Sequence, residues 1–192
     1  MDLRDWFAAE HGDVRMMFER TVLRSLPADL LTARPGDAGN SICWLVWHLA
    51  RVEDVVLHAV VRGEPTVLAS GGWGRRMGYD DARIGTGFTD ADVETFGRAV
   101  DPKAVDDYWQ AVRAATAAWL ATVPLEALDV VPDLDTRLAA LPPVVPKQAE
   151  WLLAFWRGRP AGFFLRMPVI DHGFLHLGQM QELRGRLGVR GV

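Results

Sequence analysis

Two histidines four residues apart, His172 and His176 in the stretch DHGFLHLGQM, are the residues best placed to do chemistry. On a helix, residues at i and i+4 share a face, with Cβ atoms about 5–6 Å apart. Two neutral imidazoles at that spacing can converge on one ion, at metal–nitrogen distances of about 2.0–2.1 Å for zinc. Continuing the stripe adds Gln179 and Leu183, so the pair shares its face with a core-type leucine and points inward. The spacing alone also occurs among histidines that only pack. A third ring, His48, lies in SICWLVWHLARVED among Trp44, Leu45, Leu49 and Val52. A lone histidine there is ordinarily a satisfied core residue. Three interior imidazoles are another matter, because buried polar groups cost free energy unless partnered. One shared divalent ion satisfies all three, and three histidines with an open fourth position is a known catalytic arrangement for zinc.

The remaining candidates read as structural. His11 falls on an apolar stripe between Phe7 and Val14 and suits the core or its boundary. His58 is ten residues beyond His48, about 15 Å along one helix, too far to share an ion. Asp54 faces another side of that helix and is expected as a salt-bridge partner on or near the surface. Arg51 is expected to snorkel, its stem on apolar surface and its head in water. Trp73, Arg75, Arg76 and Tyr79 lie in a glycine-rich stretch. They read as an ordinary solvated loop, with a carboxylate-binding role as the alternative. Cys43 sits in an apolar helix without a basic neighbour and reads as an inert buried thiol. GGWGRRMG lacks the GK[ST] ending of a phosphate loop.

The elements that must position these residues are helical throughout, with no persuasive period-2 strand. A first helix is predicted from Asp2 to Leu26, closed by Pro27, followed by a loop through Gly39. A second starts at the Asn40-Ser41 cap and runs to Arg62, with Gly63 as its stop. Its stripe of Ile42, Leu45, Leu49, Val52, Val56 and Ala59 suits a bundle seam. Residues 63–88 hold seven glycines and read as loop with at most one helical turn. Thr89 caps a short helix to about Arg98, and Asp101-Pro102 opens a third long helix to about Val123. Residues 124–146 resist reading because LPPVVP cannot be regular helix. A helix restarts near Lys147 and carries WLLAFW. The last runs from Ala161 to Leu187, with a kink or a fresh start near Pro168.

The totals narrow the field. The 192 residues suffice for one domain, 1–192, and a net charge of -4 exerts no strong pull on nucleic acid or membrane. Lys103 and Lys147 are the only lysines, so basic character rests on arginine. One cysteine cannot form an internal disulfide, which suits a reducing cytoplasm. The opening MDLRDWFAAEHGD carries charges from its second residue, so no signal peptide is expected, and no apolar run is long enough to span a bilayer.

The pair of stretches SICWLVWHLARVED and DHGFLHLGQMQELRGRLG resembles the DinB-like metalloprotein superfamily, which includes the branch related to mycothiol-dependent maleylpyruvate isomerase. Chain length and helix order agree, outside roughly residues 124–160. The resemblance implies an all-α, up-up-down-down four-helix bundle with irregular insertions. It also implies a metal site of His48, His172 and His176. Some relatives transfer a low-molecular-weight thiol such as mycothiol, or isomerise through it. The isomerase branch has a carboxylate where this chain has His172.

These readings converge on one divalent ion, zinc or nickel, in a cytoplasmic protein whose partners are a small thiol or electrophile. A homodimer is allowed. Two functions stay open: a metal-dependent thiol S-transferase or isomerase, and a metal-binding stress or ligand-binding protein without turnover. A third reading has the histidines only packing.

Overall fold

The computed structural model describes residues 2–189, so both ends of the expected 1–192 span fall outside the described residues. The first long helix, α1 (Leu3–Phe18), opens on a capping box in which Asp2 and Asp5 exchange side-chain and backbone hydrogen bonds. It continues as a wide π-type turn, Glu19–Leu23, and stops there, three residues short of the predicted Leu26.

Helix α2 (Ile42–Glu53) starts where Ser41 accepts from the Trp44 N–H. Its axis runs on through a second π-type stretch, Asp54–Arg62, which ends on Gly63 at φ 68°. That left-handed value is open to glycine at little cost. Every residue of α2 is buried, as befits the central helix of a bundle.

The predicted loop 63–88 contains two short helices, α3 (Val67–Gly71) and α4 (Trp73–Met77). Next come α5 (Asp90–Ala99), with a Thr89/Asp92 capping box, and the long α6 (Pro102–Leu120), capped by Asp101. The stretch past Pro124 forms a 3₁₀ turn and α7 (Leu134–Ala139). Helix α8 (Trp151–Trp156) carries WLLAFW. The last segment is α9 (Ala161–Leu165), a π-type turn Arg166–Asp171 around Pro168, and α10 (His172–Arg186).

Helices α1, α2, α6 and α10 form an all-α four-helix bundle, with α2 and α6 packed most extensively. One layer of its core holds Phe18, Ile42, Trp47, Trp109 and Met180. The other holds Phe7, Val55, Leu120, Phe164 and Ile170.

Helix directions follow from named contacts. His11 meets Glu53 while Phe18 shares a cavity wall with Cys43, so α1 and α2 run in opposite directions. Arg15 pairs with Asp106 and Arg113 reaches the His11 carbonyl, so α6 also opposes α1. Gly173 packs on Val14 and Gln181 on Thr21, so α10 runs with α1. The order is up-down-down-up rather than the expected up-up-down-down. The bundle stands; the directions are set by connections. The first link returns the chain on itself, whereas residues 63–101 carry it back to the end from which α2 began.

No helix among the described residues is long and apolar enough to cross a membrane.

Candidate metal centre

Helix α2 brings His48 to the bundle interior, and α10 brings His172 and His176 against it. Ring centroids lie 5.0 Å apart for His48 and His172, 5.1 Å for His48 and His176, and 4.3 Å within the α10 pair. One potential ligand atom from each ring lies within 4.8 Å of the other two.

Each Nδ1 is occupied by an oxygen. His48 Nδ1–H donates to the Ile84 carbonyl at 2.5 Å. His172 Nδ1–H donates to the Pro168 carbonyl at 3.2 Å, and His176 Nδ1–H to Gln179 Oε1 at 2.7 Å. Backbone carbonyls only accept, so His48 and His172 must carry hydrogen on Nδ1. This leaves Nε2 as the lone pair of those two rings, and of His176 as well when its Nδ1–H donates to Gln179 Oε1. Oxygen acceptors behind the rings are the usual means by which metal-ligating histidines are oriented.

The π-type turn contributes directly. His172 N–H turns to the Met167 and Val169 carbonyls, bypassing Pro168, its partner in α-helical register. The Pro168 carbonyl instead takes the His172 ring. The proline expected to kink the segment thus fixes a ligand's orientation.

Burial pushes the His48 ring well below its ordinary pKa, with His172 and His176 adding to the effect. Burial, then His176, lowers His172 to about 3. Burial lowers His176 as well, against the hydrogen bond it shares with Gln179. The three rings are therefore neutral near pH 7, the state that metal ligation requires.

The lone pair on Nε2 of His172 lies 2.7 Å from Nε2 of His176. Either a hydrogen on His176 Nε2, with the Gln179 amide turned to donate to Nδ1, or a cation between the nitrogens satisfies this contact. A nitrogen-only donor set of this kind suits a divalent transition ion.

A cavity of about 450 Å³ opens onto the rings. Trp44, Phe88, Phe155 and Trp156 contribute to its walls, Asn40 and Thr86 are its polar residues besides the histidines, and no Asp, Glu, Lys or Arg lines it. Trp44 stacks on His48, centroids 5.0 Å apart and planes at 13°. Gly85, at φ 92°, lets the chain pass: a Cβ there would lie 3.1 Å from His48 Nδ1 and 2.9 Å from Trp47.

Residues 12–180 match the DinB superfamily. The chain belongs to that superfamily. A crystal structure of a conserved protein from Enterococcus faecalis is similar to it, with a TM-score of 0.68 over 99% of each chain at 20% identity, and shares the fold. No curated protein matches.

The other sequence candidates of this DinB protein settle elsewhere. His11 is buried and bonded to Glu53 at 2.8 Å. His58 accepts from Arg62 at 2.9 Å and lies apart from the three rings. Asp54 is not near the surface: it is fully buried and accepts from Val67 N, Leu68 N, Tyr108 Oη and Arg51. Arg51 does not snorkel, because Asp54, Tyr108 and the Ala82 carbonyl hold its guanidinium inside. The two residues close a network that fastens α3 to α2. Trp73, Arg75 and Arg76 form part of α4, and Tyr79 follows it; none of the four lines the histidine cavity. Sequence reasoning missed the acceptors Ile84 and Gln179. Gln179 was visible on the His172–His176 stripe, whereas Ile84 carries no signal because only its carbonyl acts.

Proposed function

We propose that this protein is a divalent-metal protein whose ion is held by His48, His172 and His176, and that it acts on an uncharged ligand in the adjoining apolar cavity. The observation that carries this reading is convergence: each Nδ1 is engaged from behind its ring, and one potential ligand atom from each ring lies within 4.8 Å of the other two.

Zinc or nickel suits the nitrogen donors. A divalent ion there would supply Lewis acidity, lowering the pKa of a thiol or water placed beside it. The residues do the rest. Ile84, Pro168 and Gln179 keep the rings oriented, and Trp44 supports the His48 face. The walls formed by Phe88, Phe155 and Trp156 exclude water and favour an apolar electrophile over a charged one. The thiol S-transfer or isomerisation known among some relatives is the catalytic form of this reading. No side chain on the walls, the histidines apart, has the acid–base character of a general base. A non-catalytic binding protein is the alternative, favoured by that same lack.

Elemental analysis of protein purified without an affinity tag tests the site. About one ion per chain is expected, reduced sharply in His48→Ala, His172→Ala and His176→Ala, and retained in His58→Ala. Triad variants with full metal would refute the assignment. Metal-dependent conjugation of a small thiol to an apolar electrophile, abolished by chelation, would separate the enzyme from the binding protein.

A further inference from the structure

A second cavity lies away from the histidines. It measures about 620 Å³, lies between α3, α4 and the 141–144 segment, and shares no lining residue with the histidine cavity. Its size falls within the range of about 300–1,000 Å³ usual for small-molecule sites.

Its walls divide by chemistry. Arg51, Arg75 and Arg76 line it against a single carboxylate, Asp80. The Arg51 charge is matched by Asp54 at 3.1 Å. Arg75 and Arg76 line the cavity without an ion pair or side-chain hydrogen bond among the described residues. Arg76 is nonetheless ordered in orientation: its Cζ lies 3.6 Å from the Trp73 ring centroid. Stacking of this kind holds the guanidinium plane and leaves its N–H edge unused. Leu68, Leu141, Pro142 and Val144 form an apolar wall.

Glycines shape the rim. A Cβ at Gly71 would strike the Trp73 indole at 2.3 Å, and one at Gly74 would strike Asp80 at 2.2 Å. The missing side chains at Gly71 and Gly74 leave room for the Trp73 indole and the Asp80 carboxylate to approach the backbone.

We propose that this cavity is a second binding site, for a small organic anion whose oxyanion head meets Arg75 and Arg76 and whose apolar body rests on Leu141, Pro142 and Val144. Planar guanidinium groups match carboxylate and phosphate geometry, and both heads share the required chemistry. The site owes nothing to the metal reading, since the strap of residues 82–84 separates the two cavities.

Isothermal titration calorimetry of the full chain tests it, with benzoate, phenyl phosphate and uncharged benzyl alcohol as probes. The protein is treated with a chelator and carries His172→Ala in a parallel arm, so that binding at the histidines is excluded. Saturable binding of benzoate or phenyl phosphate, and not of benzyl alcohol, is expected in both arms; the tighter of the two identifies the head. Arg75→Gln combined with Arg76→Gln should weaken binding about tenfold or more. Both side chains are exposed, so the variant keeps its fold, as circular dichroism would confirm. Asp80→Asn should tighten binding by removing a like charge. The proposal is overturned if neither anion binds, if benzyl alcohol binds as well, or if the arginine variant binds as wild type does.

Discussion

Nε2 of His172 and Nε2 of His176 face each other at 2.7 Å, each ring having placed its Nδ1 against an oxygen. The lone pair of His172 Nε2 is satisfied here by a hydrogen on His176 Nε2 or by a cation. Four features behind the rings determine how firmly this arrangement is kept: Ile84, Pro168, Gln179 and the glycine at 85.

Gln179 is exposed and touches the site only through His176. Gln179→Ala should therefore leave the thermal midpoint near that of wild type while releasing the His176 ring. Loss of an outer-shell partner typically weakens metal binding by about 10–100-fold. Competition against a chromophoric chelator measures this; an unchanged affinity would show that Gln179 does not orient the ring.

Gly85 combines a left-handed φ of 92° with contacts a side chain cannot share. Gly85→Ala is expected to cost about 1–3 kcal/mol from backbone strain and overpacking. Gly36→Ala is the control: its φ is 73° but nothing lies within 4 Å, so only the smaller conformational cost of about 1 kcal/mol applies. Urea denaturation of both variants should separate the two costs, and equal losses would count against crowding at Gly85.

Glu53 gives the fold a pH dependence. Burial by itself would raise its carboxyl, but His11 beside it, then Arg113, hold it down at about 2. A carboxyl lowered on folding adds stability that is fully present above its unfolded pKa. That stability is lost as pH falls from about 4.5 towards 2. Glu53→Gln leaves Arg113 buried without its partner and should cost about 3–5 kcal/mol near neutrality. The gap between variant and wild type should narrow below pH 4.5, as wild type gives up the same charge. Denaturation curves across pH check this; a gap constant down to pH 2 would contradict it.

Cys43 is buried, and burial, followed by Asp101 and Asp106, pushes its thiol up to about 12. Native protein should react slowly with Ellman's reagent at pH 8, whereas protein unfolded in guanidinium should release one equivalent at once. Rapid native labelling would mean that the cavity beside Cys43 opens in solution.

The sequence made the long elements and the three histidines legible because both rest on local regularities. The α2 stripe repeats with the helical period, Ser41 and Asp101 announce helix starts, and His172 and His176 lie one turn apart. Direction and charge burial were not legible, for they depend on contacts distant in sequence. Asp54 reads as a surface acid until the N–H groups of Val67 and Leu68, on the next helix, are seen to need it. Arg51 reads as a snorkelling side chain until Tyr108 and Ala82 arrive around it. The π-type turn at Pro168 was half legible: the proline announces a fault in the helix, but not that its carbonyl would serve His172.

The strap between the two cavities is fastened twice to one helix. Arg51 holds the carbonyl of Ala82 and His48 holds that of Ile84, while Ile84 N–H reaches Val144 on the far side. Its two anchors are three residues apart on α2 and two apart on the strap, so the strap is gauged against the helix. Insertions should be tolerated in the turns around α7, where the chain runs over the surface. A single residue added or deleted between 82 and 84 would pull one carbonyl off its donor and free either a buried guanidinium or a ligand ring. Among homologues, chain length should therefore vary on both sides of this strap and stay constant within it.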